Sequence, residues 1–224
     1  MSGLSRPNPL VVFDCDGTLV DSQHSICAAM AQAFDDARLV PPERAAILAI
    51  VGLSLPHAMA RLLPEAEPDF HDHLTERYKQ AFHAMRGRGA VSEPLYPGMA
   101  ELIGELDAAG WLLGVATGKS DRGLGLCLAH HGLADRFVTL QTADRHPSKP
   151  HPAMLLAAMA EAGAAPGTTV MIGDTHFDID MGIAAGARAI GVGWGYHRPR
   201  ALMDAGALAV AMDSAELRRH IGAP

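Results

Sequence analysis

The sequence predicts an α/β protein, a doubly wound parallel sheet with a helical bundle inserted after its first strand. Three observations carry this. From residue 97 onward, short β-branched runs alternate with helical patterns, the rhythm of a parallel sheet covered on both faces. Residues 22–90 break that rhythm and read as helix throughout. The first strand candidate, in "VVFDCDGTLVDS" (11–22), delivers two aspartates into a glycine turn, where open parallel sheets gather ligands.

Taken in order, β-branched content and flanking turn residues predict strands over 10–13, 111–116, 136–140, 168–172, 189–192 and, more weakly marked, 207–212. Helical patterns occupy 99–109, 122–131, 152–162 and 177–185. Gly110, Gly132, Gly163 and Gly186 stand where left-handed caps would close them. "AEAGAAPG" (160–167) reads as a small-residue loop. In the insertion, Pro41, Pro42, Gly52, Pro64 and Pro68 divide the text into about four helices. Hinges are expected at Val20–Asp21 and over 93–97. The expected domains are therefore a core of 1–20 with 94–224 and a helical domain of 21–93.

Composition narrows the class of function. With 224 residues, 49% hydrophobic and 19% charged, the chain is globular rather than disordered. A net charge of −7 argues against a nucleic-acid surface. "MSGLSRPNPL" lacks a signal peptide's apolar core, and nothing approaches the roughly 18 to 20 apolar residues of a membrane span. Cys15, Cys27 and Cys127 fit no metal or disulfide spacing and read as reduced thiols of a cytoplasmic protein. Neither nucleic acid nor membrane is an expected partner; a monomer or homodimer is expected.

The loops beyond the strands carry the chemistry. "DCDGT" brings Asp14, Asp16, Gly17 and Thr18; "ATGKS" brings Thr117, Gly118, Lys119 and Ser120; "HPSKP" brings Lys149; "IGDTHFDID" brings Asp174 and Asp178. Acids, hydroxyls and a lysine converge on one sheet edge. Clustered carboxylates repel one another and resist desolvation, so Lys149 and a divalent cation are expected among them. Mg²⁺, which prefers hard oxygen ligands, is the natural choice.

These four stations, in this order, resemble the haloacid dehalogenase superfamily, which implies a Rossmann-like core with an inserted α-helical cap. The resemblance implies that Asp14 is the nucleophile and forms an aspartyl-phosphate. Asp14, Asp174 and the backbone carbonyl of Asp16 would hold Mg²⁺, and the Asp16 side chain would act as general acid and base. Gly17 permits the turn between them. Thr18, Thr117, Gly118 and Lys149 would meet the phosphoryl group, and Asp178 would orient Lys149 or a metal-bound water. Carbon–halogen relatives lack an aspartate at the place of Asp16, so phosphoester chemistry is favoured.

In related enzymes the turn written here "VGLSL" (51–55) approaches the site, making Gly52 and Ser54 candidate substrate contacts, and Arg61 a weaker one. Arg77, Lys79, Arg86 and Arg88 read mainly as a solvated helix face, with one of them available for a substrate carboxylate. The histidines of "HDH" (His71, His73) and "AHHG" (His130, His131) read as structural, and His176 as a rim contact. The wording of the chain is closest to the phosphoglycolate-phosphatase-like branch. The expected substrate is a small phosphorylated metabolite. A phosphomutase of the β-phosphoglucomutase type, an inorganic pyrophosphatase and a phosphate-binding regulator remain the alternatives.

Overall fold

The computed structural model describes residues 7–224. Residues 1–6, which open the expected core segment and make up most of the stretch scanned for a signal peptide, lie outside them. The strands are β1 (Asn8–Phe13), β2 (Leu112–Thr117), β3 (Thr139–Thr142), β4 (Ala164–Gly173), β5 (Arg188–Val192) and β6 (Val210–Ala211). They form one parallel sheet in the order β3-β2-β1-β4-β5-β6. Chain order reverses between β1 and β4, which makes their carboxyl ends the topological switch point.

Strand β1 shows why the sheet is covered on both faces. Side chains alternate across a strand, and all four of its apolar residues are fully buried. Val11 and Phe13 join one core with α5 (Met99–Ala108), α6 (Asp121–His130) and α10 (Ser214–Ile221). Leu10 and Val12 join another with α7 (Ala153–Ala162) and α8 (His176–Ala184). Each such residue contributes about 1.5–3 kcal/mol by leaving water, so the sheet edge they support is rigid.

Three sequence expectations need correction. The stretch read as a loop at 160–167 is already strand from Ala164. Its pairing with β1 skips from Asn8↔Ala164 to Leu10↔Thr169, so Pro166 and Gly167 are carried in a bulge. The Thr168 hydroxyl stitches that bulge to the carbonyl oxygens of Asn8 and Ala165. The third strand starts three residues late, because 134–136 forms a 3₁₀ turn. The last, expected over 207–212, shrinks to two residues.

The insertion folds as α1 (Gln23–Asp36), α2 (Arg44–Leu48), α3 (Leu55–Leu62) and α4 (Pro68–Gly87), with α9 (Pro199–Asp204) lying later, in the core. Prolines in the first turns of α3 and α4 are tolerated because those amides lack intrahelical partners. Ile26, Met30 and Phe34 of α1 recur on one face and pack against Met59, Leu74 and Tyr78, giving these helices a core of their own. The two connecting segments run side by side. Asp21 donates its amide to the Pro94 carbonyl, Tyr96 donates to Leu19, and Val20 bridges Leu95. Among the described residues no helix is long and apolar enough to cross a membrane, and Cys15, Cys27 and Cys127 are free thiols.

Candidate active site

Asp14 leaves the end of β1 and Asp174 the end of β4, and the chain between them is tightly fitted. Gly17 has φ +84°, and a Cβ placed on it would lie 2.2 Å from Asp174 Oδ2. No other residue fits, since both the left-handed backbone and the missing side chain are required. The Thr18 hydroxyl donates to Asp174 Oδ1 at 3.1 Å, and the Tyr196 amide donates to Oδ2 at 2.8 Å. Thr18 thus holds Asp174, a role its expected place among the phosphoryl contacts did not include.

Lys149 is the positive centre of the cluster. Its Nζ lies 2.8 Å from Asp14 Oδ1 and 2.6 Å from Asp178 Oδ1, with all three side chains at most 1% exposed. Asp178 caps its own helix: its Oδ2 accepts from the Thr175 amide and hydroxyl, completing a capping box. Both Asp178 oxygens are therefore occupied. Burial pushes the Asp14 carboxyl up to about 7; Lys149 opposes the shift and the Asp178 charge adds to it. Burial, then the charges of Asp14 and Asp178, raises Asp174 well above the usual carboxylate range. Burial alone would lower Lys149, but the two carboxylates outweigh it and keep the ammonium charged.

Asp16 sits in a second charged chain whose members lie far apart in the sequence. Lys119 Nζ is 2.8 Å from Asp16 Oδ1 and 2.7 Å from Glu93 Oε1, and Arg86 of α4 reaches Glu93 Oε2 at 2.8 Å. Burial works against the Lys119 charge, but Asp16 leads the neighbours that hold it well above its usual range. The Ser22 hydroxyl also donates to Asp16 Oδ1 and meets the Tyr196 hydroxyl at 3.2 Å. Lys119 was visible in "ATGKS"; Ser22 and Glu93 carried no signal beyond their nearness to the hinges.

The turn 51–55 does reach this edge. A Cβ on Gly118 would meet the Leu53 and Gly52 carbonyl oxygens at 2.6 and 2.9 Å, so only glycine lets the two loops approach so closely. The Ser54 amide donates to the Ser148 hydroxyl, beside Lys149, while the Ser54 hydroxyl turns to His57 Nδ1. Thr117 is buried, and its hydroxyl accepts from the Lys119 amide at 3.3 Å. Arg61 is exposed on α3 and does not line the adjoining cavity. His176 pairs with His197 at 3.2 Å instead of facing that cavity. Of the four cations marked in "ERYKQAFHAMRGRG", Arg86 turns inward to Glu93, and Lys79 makes an exposed pair with Glu76.

The family model described as haloacid dehalogenase-like hydrolase matches residues 11–192. The chain belongs to the haloacid dehalogenase-like hydrolases. This hydrolase is 39% identical over 193 residues to the "Probable phosphatase IndB" of Dickeya dadantii, covering 84% of this chain and 83% of that protein. It is 32% identical over 220 residues to the phosphoglycolate phosphatase of Rhodospirillum rubrum, covering 96% and 91%. The crystal structure of a hydrolase from Pseudomonas syringae superposes with a TM-score of 0.84 at 26% identity, covering 96% and 100%.

The acid cluster of this haloacid dehalogenase-like hydrolase fits a divalent metal ion. Oxygens of Asp14, Asp174 and Asp178 lie within 4.8 Å of one another. Asp14 Oδ1 has the Lys149 ammonium at 2.8 Å, whereas Oδ2, equally buried, has no partner among the described residues. When ionised, the three buried carboxylates face one ammonium, which leaves two negative charges to compensate, and without a cation burial favours their protonated forms. A hard dication with oxygen ligands meets that demand.

Proposed function

We propose that this chain is a Mg²⁺-dependent phosphomonoesterase that works through an aspartyl-phosphate, with residues 21–93 as a cap over a core of 1–20 and 94–224. The observation that carries the reading is Asp14, a buried carboxylate at the switch point whose Oδ1 meets Lys149 and whose Oδ2 has no partner among the described residues. Such a group is costly to keep and suits a nucleophile held ready. Asp14, Asp174 and the Asp16 carbonyl are the proposed metal ligands, with Asp178 left to orient Lys149 and cap its own helix. Once bound, Mg²⁺ supplies the positive charge that lets a carboxylate approach a phosphoryl dianion.

The chain's own residues do the rest. Asp14 Oδ attacks phosphorus, and the bond from phosphorus to the ester oxygen breaks. Asp16, held by Ser22 and Lys119, gives its proton to the departing oxygen; it then takes one from the water that hydrolyses the acyl phosphate. Lys149 offsets charge on the phosphoryl oxygens, assisted by the Thr117 hydroxyl and the Gly118 amide. The helices of 21–93, joined through Gly52 and Ser54, exclude bulk water. The substrate is a small phosphorylated metabolite, and phosphoglycolate, named for the Rhodospirillum relative, is the reference compound.

The test is phosphate release from a panel of phosphomonoesters and pyrophosphate with Mg²⁺, by the parent and Asp14→Asn chains. We expect release by the parent, abolished in the variant, with a phosphorylated Asp14 recovered after rapid quench. Activity surviving in Asp14→Asn, or isomerised product without phosphate release, would overturn the reading; preference for pyrophosphate over every ester would move it to a pyrophosphatase.

A further inference from the structure

A cavity of about 560 Å³ lies between the helical insertion and the core, with Asp16, Gly118 and Lys119 on its floor. It adjoins the proposed proton donor, so the alcohol portion of the ester must occupy it. Its size and its lining both bear on what that alcohol is. Phosphoglycolate, with roughly nine non-hydrogen atoms, fills on the order of 150 Å³, about five waters' worth of liquid volume. Most of the chamber would stay wet and unused.

The wall opposite the floor is apolar. Ile26 and Met30 of α1 and Tyr78 and Phe82 of α4 line it, together with Ile50 and Leu53 from the turn between α2 and α3. Ile26, Met30, Tyr78 and Leu53 are already shielded from solvent, at 8% exposure or less. A pocket of several hundred cubic ångströms with an apolar wall and a few polar groups at one end takes an organic ring system.

Resting on the phosphomonoesterase reading above, we propose that the preferred substrate is an ester whose leaving alcohol carries a ring, seated against Met30 and Phe82. One unfilled apolar subsite changes kcat/KM by about tenfold or more, which sets the scale of the expected discrimination.

Two measurements test this. In the first, the Mg²⁺-loaded parent hydrolyses phosphoglycolate, phenyl phosphate and adenosine 5′-monophosphate. We expect at least one of the two ring-bearing esters to exceed phosphoglycolate in kcat/KM by about tenfold or more. Phosphoglycolate equal to or better than both ring-bearing esters overturns the inference and leaves the phosphatase reading standing. In the second, calorimetry compares binding of the same compounds by Asp14→Asn, which needs no turnover. Tighter binding of a ring-bearing ester supports the inference even if the parent hydrolyses nothing, an outcome that sinks the phosphatase reading alone; equal or weaker binding of both overturns it.

Discussion

Lys149→Met isolates the electrostatics of the acid cluster. Methionine approximates the length and volume of lysine, so packing is largely kept, while the ammonium contacting Asp14 at 2.8 Å and Asp178 at 2.6 Å disappears. Breaking a buried ion pair by removing one partner costs about 3–5 kcal/mol. For a chain of this length that corresponds to a fall of about 6–20 °C in the thermal midpoint, at roughly 2–4 °C per kcal/mol. The cost should depend on pH, because Asp14, raised to about 7, and Asp174, raised by burial, take up protons as the pH drops. The assay is unfolding of metal-free parent and variant at pH 8 and pH 5. We expect the full loss at pH 8 and less than half of it at pH 5. Equal losses at both values would mean that lost packing, not unbalanced charge, sets the cost, and the account of the cluster would fail.

The metal-free parent should itself respond to pH. The folded state holds a proton on Asp14 that the unfolded chain has released between about pH 4 and pH 7, so stability is lost as pH rises through that window. Its thermal midpoint should drop from pH 5 to pH 8 and recover on adding Mg²⁺ at pH 8; a metal-free midpoint that climbs instead would contradict the raised carboxyls. Gly17→Ala forces a Cβ against Asp174 and a left-handed backbone on alanine. About 1–3 kcal/mol of stability and roughly a hundredfold in kcat should go, as urea titration and steady-state rates would show; a variant with parental kcat would refute the fit described for Asp174. Lys119→Met removes the link between Asp16 and Glu93. It should lower kcat by about tenfold to a hundredfold with a smaller change in KM, and a change confined to KM would show that Lys119 does not hold Asp16.

Legibility in the sequence depends on where the determining contacts lie. The sheet and its catalytic edge were legible because buried parallel strands announce themselves as apolar runs, and the loops after them hold unusual residues side by side. Asp14 and Asp16 stand in one pentapeptide, and Asp174 and Asp178 four residues apart across the start of a helix. The Lys119–Glu93–Arg86 chain was not legible, since its members belong to three separate elements and each alone reads as an ordinary surface charge. The same holds for Tyr196, whose hydroxyl reaches Ser22 across 174 residues. The bulge in β4 is hidden because Ala-Ala-Pro-Gly has little strand propensity; the pairing of Ala164 with Asn8 and the Thr168 hydroxyl hold it there. Cavity volume is a property of several elements at once, and no local pattern encodes it.

The paired crossing at Asp21–Pro94 and Leu19–Tyr96 has an architectural corollary. The insertion leaves and rejoins the core at neighbouring points, so its covalent attachment is two short segments held side by side, and its other hold is the turn 51–55 against Gly118 and Ser148. A different bundle or a longer helical stack could be grafted onto the same pair of stubs provided it kept Ser22, Glu93 and the close-fitting turn over Gly118. The edge around the acid cluster is thus pinned by the fit of Gly17 against Asp174, while helix length and number beyond the turn are open to change.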